Sequence, residues 1–508
     1  MRKTVFLALI INTLTARENT LSYPNSMPNK TVDTLHGIKV PDPYRWLEDL
    51  NSNQTSAWVK AQSSLTESYL DAIPGRQALE NHLTKLWNVE RLGVPSFEGG
   101  YYFFSKNDGL QNQSVLYSTK SLDTKPAVLL DPNTFSNDGT VALRSYEVSP
   151  DGKYLAYSTS ASGSDWVEWQ VREISSGKDL SDHLKWSKFS GVSWAKDSKG
   201  FYYGRFPTPK DGEEMMAENI HKKIYFHEIG KPQSEDLLVY ERPNHPKQGL
   251  YAWVTEDRKY LLIQVSQGTD TKNGLFYKDL SNSTSKVIEL LTDFDASYDF
   301  ITNLGSKFII RTDLNAPKQR VISIDLNAPS ATQWKTIIPE SKETLRSVSH
   351  IGGLLIANYL KDARTEIRRF KIDGSFLPPV KLPGLGTATG FGGKSNQNET
   401  FYYFTSFTSP GAVYRYDVTS NISTLLKAPK TQFDRDNYES RQIFATSRDG
   451  TKIPMFIVYK KNLKLDGNNP TLLYAYGGFN ISLRPSYSPA TIAWLDLGGI
   501  YVLSLIHI

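Results

Sequence analysis

The sequence predicts a mainly β protein, with a seven-bladed β-propeller set between a helical N-terminal part and the opening of an α/β unit. Three features lead there: a composition rich in strand and turn formers, a strand motif repeated seven times, and a change of pattern on either side of the repeat. At 508 residues the chain is too long for one ordinary core, so two or more domains are expected. Aromatic residues make up 12%, with Tyr (28) outnumbering Phe (23), a mixture that favours short strands over helices.

The repeat consists of a strand with a polar or acidic residue near its end. Its copies read "LYSTK", "QVREI", "YFHEI", "FYKDL", "ISIDL", "RRFKI" and "YRYDV". Aligned on Thr119, Glu173, Glu228, Asp279, Asp325, Lys371 and Asp417, they are spaced by 54, 55, 51, 46, 46 and 46 residues. Several copies carry an earlier turn-and-strand element, among them "SPDGKYLAY", "TEDRKYLLI" and "NQNETFYYF", which signals a hairpin. A unit of this length holding several short strands fits a propeller blade, and blades bury their faces only by stacking around a ring. A pair of β-sandwiches is the competing reading, and repetition at this period counts against it.

Before the repeat, Trp58, Ala61, Leu65 and Tyr69 fall on one face of a helix, and a second helix is expected from Arg76 to Trp87. After it, "RQIFATSRDGTKIPMFIVYKK" reads as two strands around a turn. "TLLYAYGG" reads as an apolar strand buried on both faces, and "SPATIAWLDLGGIYVLSL" as a short helix and one more strand. The divisions are 1–21, 22–90, 91–430 and 431–508. The first, with Arg2 and Lys3 before an apolar run from Val5 to Ile11, reads as a secretory signal peptide, which would send the protein to the periplasm or outside. Read instead as a disordered tail, it leaves a cytoplasmic protein. The apolar run is too short to span a bilayer.

A net charge of +5 without a run of five like charges gives nucleic-acid binding little support. With no Cys, disulfides, thiolate zinc sites and a cysteine nucleophile are excluded. The eight His form no metal-ligand cluster in the sequence, and no cofactor is expected.

Three blocks, in this order, resemble the prolyl oligopeptidase family of serine peptidases: "HGIKVPDPYRWLED" from His36, "SPDGKYLAYSTSASGSDW" from Ser149, and "SRDGTKIPMFIV" followed by "LLYAYGGFNIS". The resemblance implies that both chain ends build one α/β-hydrolase domain, capped by the propeller as a size filter. It implies a monomer that cleaves short proline-containing peptides after proline with a Ser-His-Asp triad, and needs no cofactor, membrane or nucleic acid.

On residues alone, Tyr476 reads as a buried structural tyrosine; the resemblance makes its hydroxyl an oxyanion-hole donor. Such a donor stabilises the developing charge by about 3 to 4 kcal/mol. Gly477 and Gly478 permit a close approach that a Cβ would block. Phe479 matches an aromatic lining the proline pocket, where three ring methylenes bury about 2 kcal/mol. Phe189, in "KFSGVSW", reads as blade core on its own and as a substrate-facing residue by resemblance.

Acyl transfer in this fold needs a G-x-S-x-G nucleophile elbow, with the acid and histidine after it. None occurs in the 508 residues. The triad is therefore expected beyond residue 508, leaving this chain as the N-terminal two-thirds of the enzyme, inactive by itself. "LSLIHI", with His507, does not resemble the family and reads as a truncated or misread end. Two other readings stand beside this one: a non-catalytic propeller that binds partners, and a sibling peptidase of dipeptidyl or basic-residue specificity.

Overall fold

The computed structural model describes residues 21–504 except 215, 477, 479 and 480. The signal-peptide reading, Leu21 apart, and His507 lie outside these residues, as does Phe479.

Residues 91–427 fold into seven successive antiparallel sheets, six of four strands and the first of five. The sequence repeat is a repeat of the sheet. Val115–Thr119, Trp166–Glu173, Lys223–Glu228, Asn273–Asp279, Arg320–Asp325, Arg364–Lys371 and Ser409–Asp417 are each the third strand of their sheet, and each ends on its anchor residue. The three aspartate anchors have a local reason. Asp279 accepts the backbone N–H of Ser281 (2.9 Å), Asp325 that of Asn327 (3.0 Å) and Asp417 that of Ser420 (2.7 Å). Each carboxylate thus builds the turn into the outer strand. In the sixth sheet the anchor is Lys371, and Asp373 makes the turn instead, accepting from the N–H of Ser375 at 2.9 Å.

Neighbouring sheets pack face to face through apolar clusters. The second and third share Trp169, Leu184, Trp194 and Phe201; the fourth and fifth share Leu262, Leu275, Phe308 and Ile310. Equivalent clusters join every consecutive pair from first to last. The first and last sheets meet differently. Among the described residues their seam is held by the Tyr102 hydroxyl on Glu399 (2.9 Å), the Lys394–Glu98 ion pair (2.6 Å) and the Tyr102–Phe401 edge contact. A cavity of about 550 Å³ lies along it. This closed stack of sheets is a β-propeller.

The two chain ends meet beside it. Helix α1 (Asn53–Asp71) starts at Ser52, whose Oγ accepts the Thr55 N–H (3.1 Å), and α2 spans Arg76–Trp87 as the sequence predicts. Strands 438–446 and 452–460 form the expected hairpin, with Thr446 opposite Lys452. Strand 500–504 lies antiparallel to the second of these and parallel to strand 471–474. The parallel pair requires a crossover, supplied by α3 (Pro489–Asp496), which is capped by Ser488 and begins with proline. Leu86 of α2, Phe456, Val458, Ile492, Leu495 and Leu503 form one buried cluster with Ala363 and Phe407 of the propeller. At its edge Asp496 accepts from the Tyr438 hydroxyl (2.8 Å) and Lys460 (3.1 Å) and pairs with His82 (3.1 Å).

Two expectations need correction. Strand Thr471–Tyr474 is exposed along its length rather than buried on both faces, because it is the edge strand and no described element lies over it. On α1, Trp58 and Leu65 are half-buried but Ala61 and Tyr69 are exposed. The predicted face is only partly covered, since α2, not α1, packs on α3.

One buried charge cluster stabilises the third sheet. His227 is 0% exposed, with Nε2 2.9 Å from Asp182 and Nδ1 2.7 Å from Asp236. Burial opposes its charge, but the hydrogen bonds to both carboxylates, together with their negative charge, prevail and raise its pKa to about 9. Replacing His227 by Ala strands two buried carboxylates and is expected to cost about 3–5 kcal/mol in urea unfolding. Because the folded pKa is raised above its ordinary 6.5, the stabilisation is complete below that pH and lost as pH rises through about 9. The unfolding midpoint of the unmodified protein should fall over that window; a midpoint flat from pH 6 to 10 contradicts the assignment.

Candidate functional site

The segment after Tyr474 leaves the sheet at the carboxyl end of a parallel strand, where open α/β sheets place their ligands. Tyr476 stands two residues past that end. It is 37% exposed, so it is not the buried structural tyrosine that its surroundings in the sequence suggest. A Cβ at Gly478 would lie 2.7 Å from the Tyr476 hydroxyl oxygen and 2.9 Å from Cζ. The glycine therefore lets the backbone pass against the phenol.

The chain then returns to the propeller. Thr387 donates its hydroxyl to the Pro485 carbonyl (2.7 Å), and the Tyr487 ring stacks on Phe433 at 5.8 Å. Between these anchors and Gly478 lies Arg484. Burial and then the like charge of Arg346, on the first strand of the sixth sheet, hold its pKa below the ordinary arginine range.

Phe189 lies on the connection between the second and third sheets, just past strand Lys178–Lys188. Its backbone is left-handed, with φ of 50°, and its side chain is 53% exposed, so the blade-core reading is wrong. Its carbonyl accepts from the Lys222 ammonium at 2.7 Å. Burial pushes Lys222 down to about 7. Its neighbour Lys188 is also buried, with Nζ 4.1 Å above the Trp166 ring and 3.0 Å from the Asn219 side-chain oxygen. No hydrogen bond or ring pair among the described residues joins Phe189 to Tyr476. The two lie on separate elements, one on the connection between two propeller sheets and the other just past strand 471–474.

Sequence reading missed Lys188 and Lys222, because a lysine carries a surface expectation and nothing in "KK" or "KFS" announces burial. Trp166 closes the second family-like block, and that was the one usable signal. Among the described residues no group of three His, Asp or Glu is arranged to hold a metal ion, and no helix is long and apolar enough to cross a membrane.

The fold defines a β-propeller protein whose two chain ends pack together beside the propeller. Residues 24–429 match the family described as prolyl oligopeptidase, N-terminal beta-propeller domain. The prolyl endopeptidase of Elizabethkingia meningoseptica is 41% identical over 483 residues, covering 95% of this chain and 68% of that protein. The dual function macrocyclase-peptidase of Galerina marginata is 33% identical, covering 94% of this chain and 70% of its own length. A prolyl endopeptidase solved in a study of inter-domain dynamics superposes with a TM-score of 0.88 at 35% identity, covering 95% of this chain and 71% of that one. The Galerina marginata prolyl oligopeptidase B, solved with a 35mer hydrolysis and macrocyclization substrate, gives 0.86 at 33% identity, covering 95% of this chain and 72% of its own. The chain belongs to the prolyl oligopeptidase family.

Gly478→Ala tests the fit at the phenol. The added methyl should displace the Tyr476 ring by a few tenths of an ångström or more, with little effect on melting, visible as changed Tyr476 ring resonances. An unmoved ring would show that the glycine is not needed there.

Proposed function

We propose that this chain carries the peptide-binding face and one oxyanion-hole donor of a prolyl oligopeptidase, a serine endopeptidase that cleaves short peptides on the carboxyl side of proline. The seven sheets of residues 91–430 act as seven blades and a size filter. Residues 22–90 and 431–508 would contribute to one α/β-hydrolase domain, and 1–21 would be a signal peptide or a disordered tail. The observation that carries this reading is Tyr476, a partly exposed tyrosine just past the carboxyl end of a parallel strand, with the Gly478 backbone against its phenol where a Cβ would clash. A fixed O–H there would meet the charge that develops on a scissile carbonyl. Phe479 and Phe189 would line the path of the peptide, Phe479 against the proline ring and Phe189 further along. The protein would work as a monomer, on peptides and not on folded proteins.

Hydrolysis also needs an attacking group. No G-x-S-x-G occurs in residues 1–508, so they alone are proposed to bind peptides without cleaving them. The same observation supports a second reading, a propeller that binds and never cleaves. The coding sequence past residue 508 separates the two. A G-x-S-x-G segment followed by Asp and His supports the enzyme, and a stop codon supports the binder.

The purified 508-residue protein should bind a fluorescent proline-containing peptide and leave a prolyl amide intact at saturation. Appreciable hydrolysis would mean that the nucleophile lies within these residues and that its assignment is wrong. Equal binding of a folded protein would remove the size filter.

A further inference from the structure

The Phe189 loop is expensive to hold. A phenylalanine in left-handed backbone costs about 1–2 kcal/mol, and this one also turns an apolar ring to solvent. The surrounding contacts clamp it on every side. Ser187 donates its hydroxyl to the Gly204 carbonyl (2.7 Å), and Ser190 accepts the Gly204 N–H (2.9 Å). Lys188 is fixed by Asn219 and the Trp166 face. Trp166 in turn donates its ring N–H to the Glu214 carbonyl at 2.7 Å and packs edge-on against Trp186 and Phe206.

Lys222 is the unusual member. It is 3% exposed, and no carboxylate among the described residues forms an ion pair with it. Its Nζ lies 4.0 Å from the centroid of the Tyr251 ring and 5.8 Å from that of Phe206, with the Phe189 carbonyl at 2.7 Å as its hydrogen-bond acceptor. A buried ammonium without an anion is costly and rare, and a cation–π contact offsets only part of the cost. Room has been made for it: a Cβ on Gly204 would lie 2.6 Å from Lys222 Cε and 2.8 Å from Ser190 Oγ. A methionine would fill the same space without a charge to bury. What it could not do is hold the Phe189 carbonyl.

We propose that Lys222 is a positioning residue whose caged side-chain nitrogen, donating to the Phe189 carbonyl, holds the exposed Phe189 ring where a bound peptide meets it. This rests on the reading that Phe189 faces substrate. Lys222 itself touches no peptide; it acts by keeping one ring in one place, so that ordering the loop is not charged against binding.

The test uses the full 508-residue chain and a fluorescein-labelled peptide of about eight residues with proline near its centre. Lys222→Met should weaken binding about ten-fold, and Phe189→Ala by a similar factor. The double variant should be no weaker than either, because both remove the same positioned ring. Losses that multiply, or a Lys222→Met affinity equal to the unmodified protein, would overturn the proposal. If Lys222→Met does not fold, Lys222→Gln, which keeps an N–H donor, decides. An affinity within about three-fold of the unmodified protein supports the role, and a loss as large as that of Phe189→Ala overturns it. Hydrogen exchange of residues 187–191 separates this proposal from the reading beneath it. Should the unmodified protein bind no peptide, the substrate-facing role of Phe189 fails and the proposed function with it. The clamp then stands if exchange in Lys222→Met rises about ten-fold while the sheet interiors are unchanged, and falls if it does not.

Discussion

The arrangement depends on one buried joint, where the two ends of the chain close on each other against the propeller. Phe456, Val458, Ile492, Leu495 and Leu503 come from the C-terminal side, Leu86 from α2, and Ala363 and Phe407 from two propeller sheets. Each large side chain in such a cluster contributes about 1.5–3 kcal/mol on burial. Apolar burial gives strength but little direction. Direction comes from Asp496, which gathers Tyr438, Lys460 and His82 at the rim of the cluster and so ties α3, the hairpin and α2 in one register. The segment carrying Tyr476 hangs between strand 471–474 and α3, both of which take their place from this joint.

The propeller is the fixed half. Its sheets are joined consecutively by apolar clusters, and in the last four an aspartate builds the turn into the outer strand. Such a scaffold leaves chemistry to its loops, and the Phe189 connection is one of them. On the other half the equivalent loop is the glycine-backed segment around Tyr476. One element offers an exposed ring and the other an exposed phenol, with the half-buried Arg484 further along the same segment.

Much of this was legible in the sequence, for reasons that can be traced. Three of the seven anchors do local work that explains their recurrence: Asp279, Asp325 and Asp417 each accept a backbone N–H two or three residues on, and such an aspartate recurs where the same turn recurs. The second helix runs over the expected Arg76–Trp87 and ends at Asn88. Tertiary environment was the part that local pattern could not supply. "TLLYAYGG" is apolar enough for a central strand, but its exposure depends on which elements lie beside it. The α1 stripe is a true helical stripe, yet nothing in its spacing says which face is covered. Tyr476 and Phe189 were found by resemblance and would both have been assigned to the core on residue type. Lys222 was invisible, because a buried lysine looks like a surface one until its neighbours are placed.

The central proposal is that Tyr476 and Phe189 meet the same ligand. Photo-crosslinking tests it most directly, using short proline-containing peptides with a diazirine placed at successive positions and the labelled residues mapped by mass spectrometry. The account predicts labelling of both the 186–190 and the 474–478 segments, moving from one to the other as the diazirine is moved along the peptide. Labelling confined to one of them, or spread over the outer strands of the propeller, would contradict it.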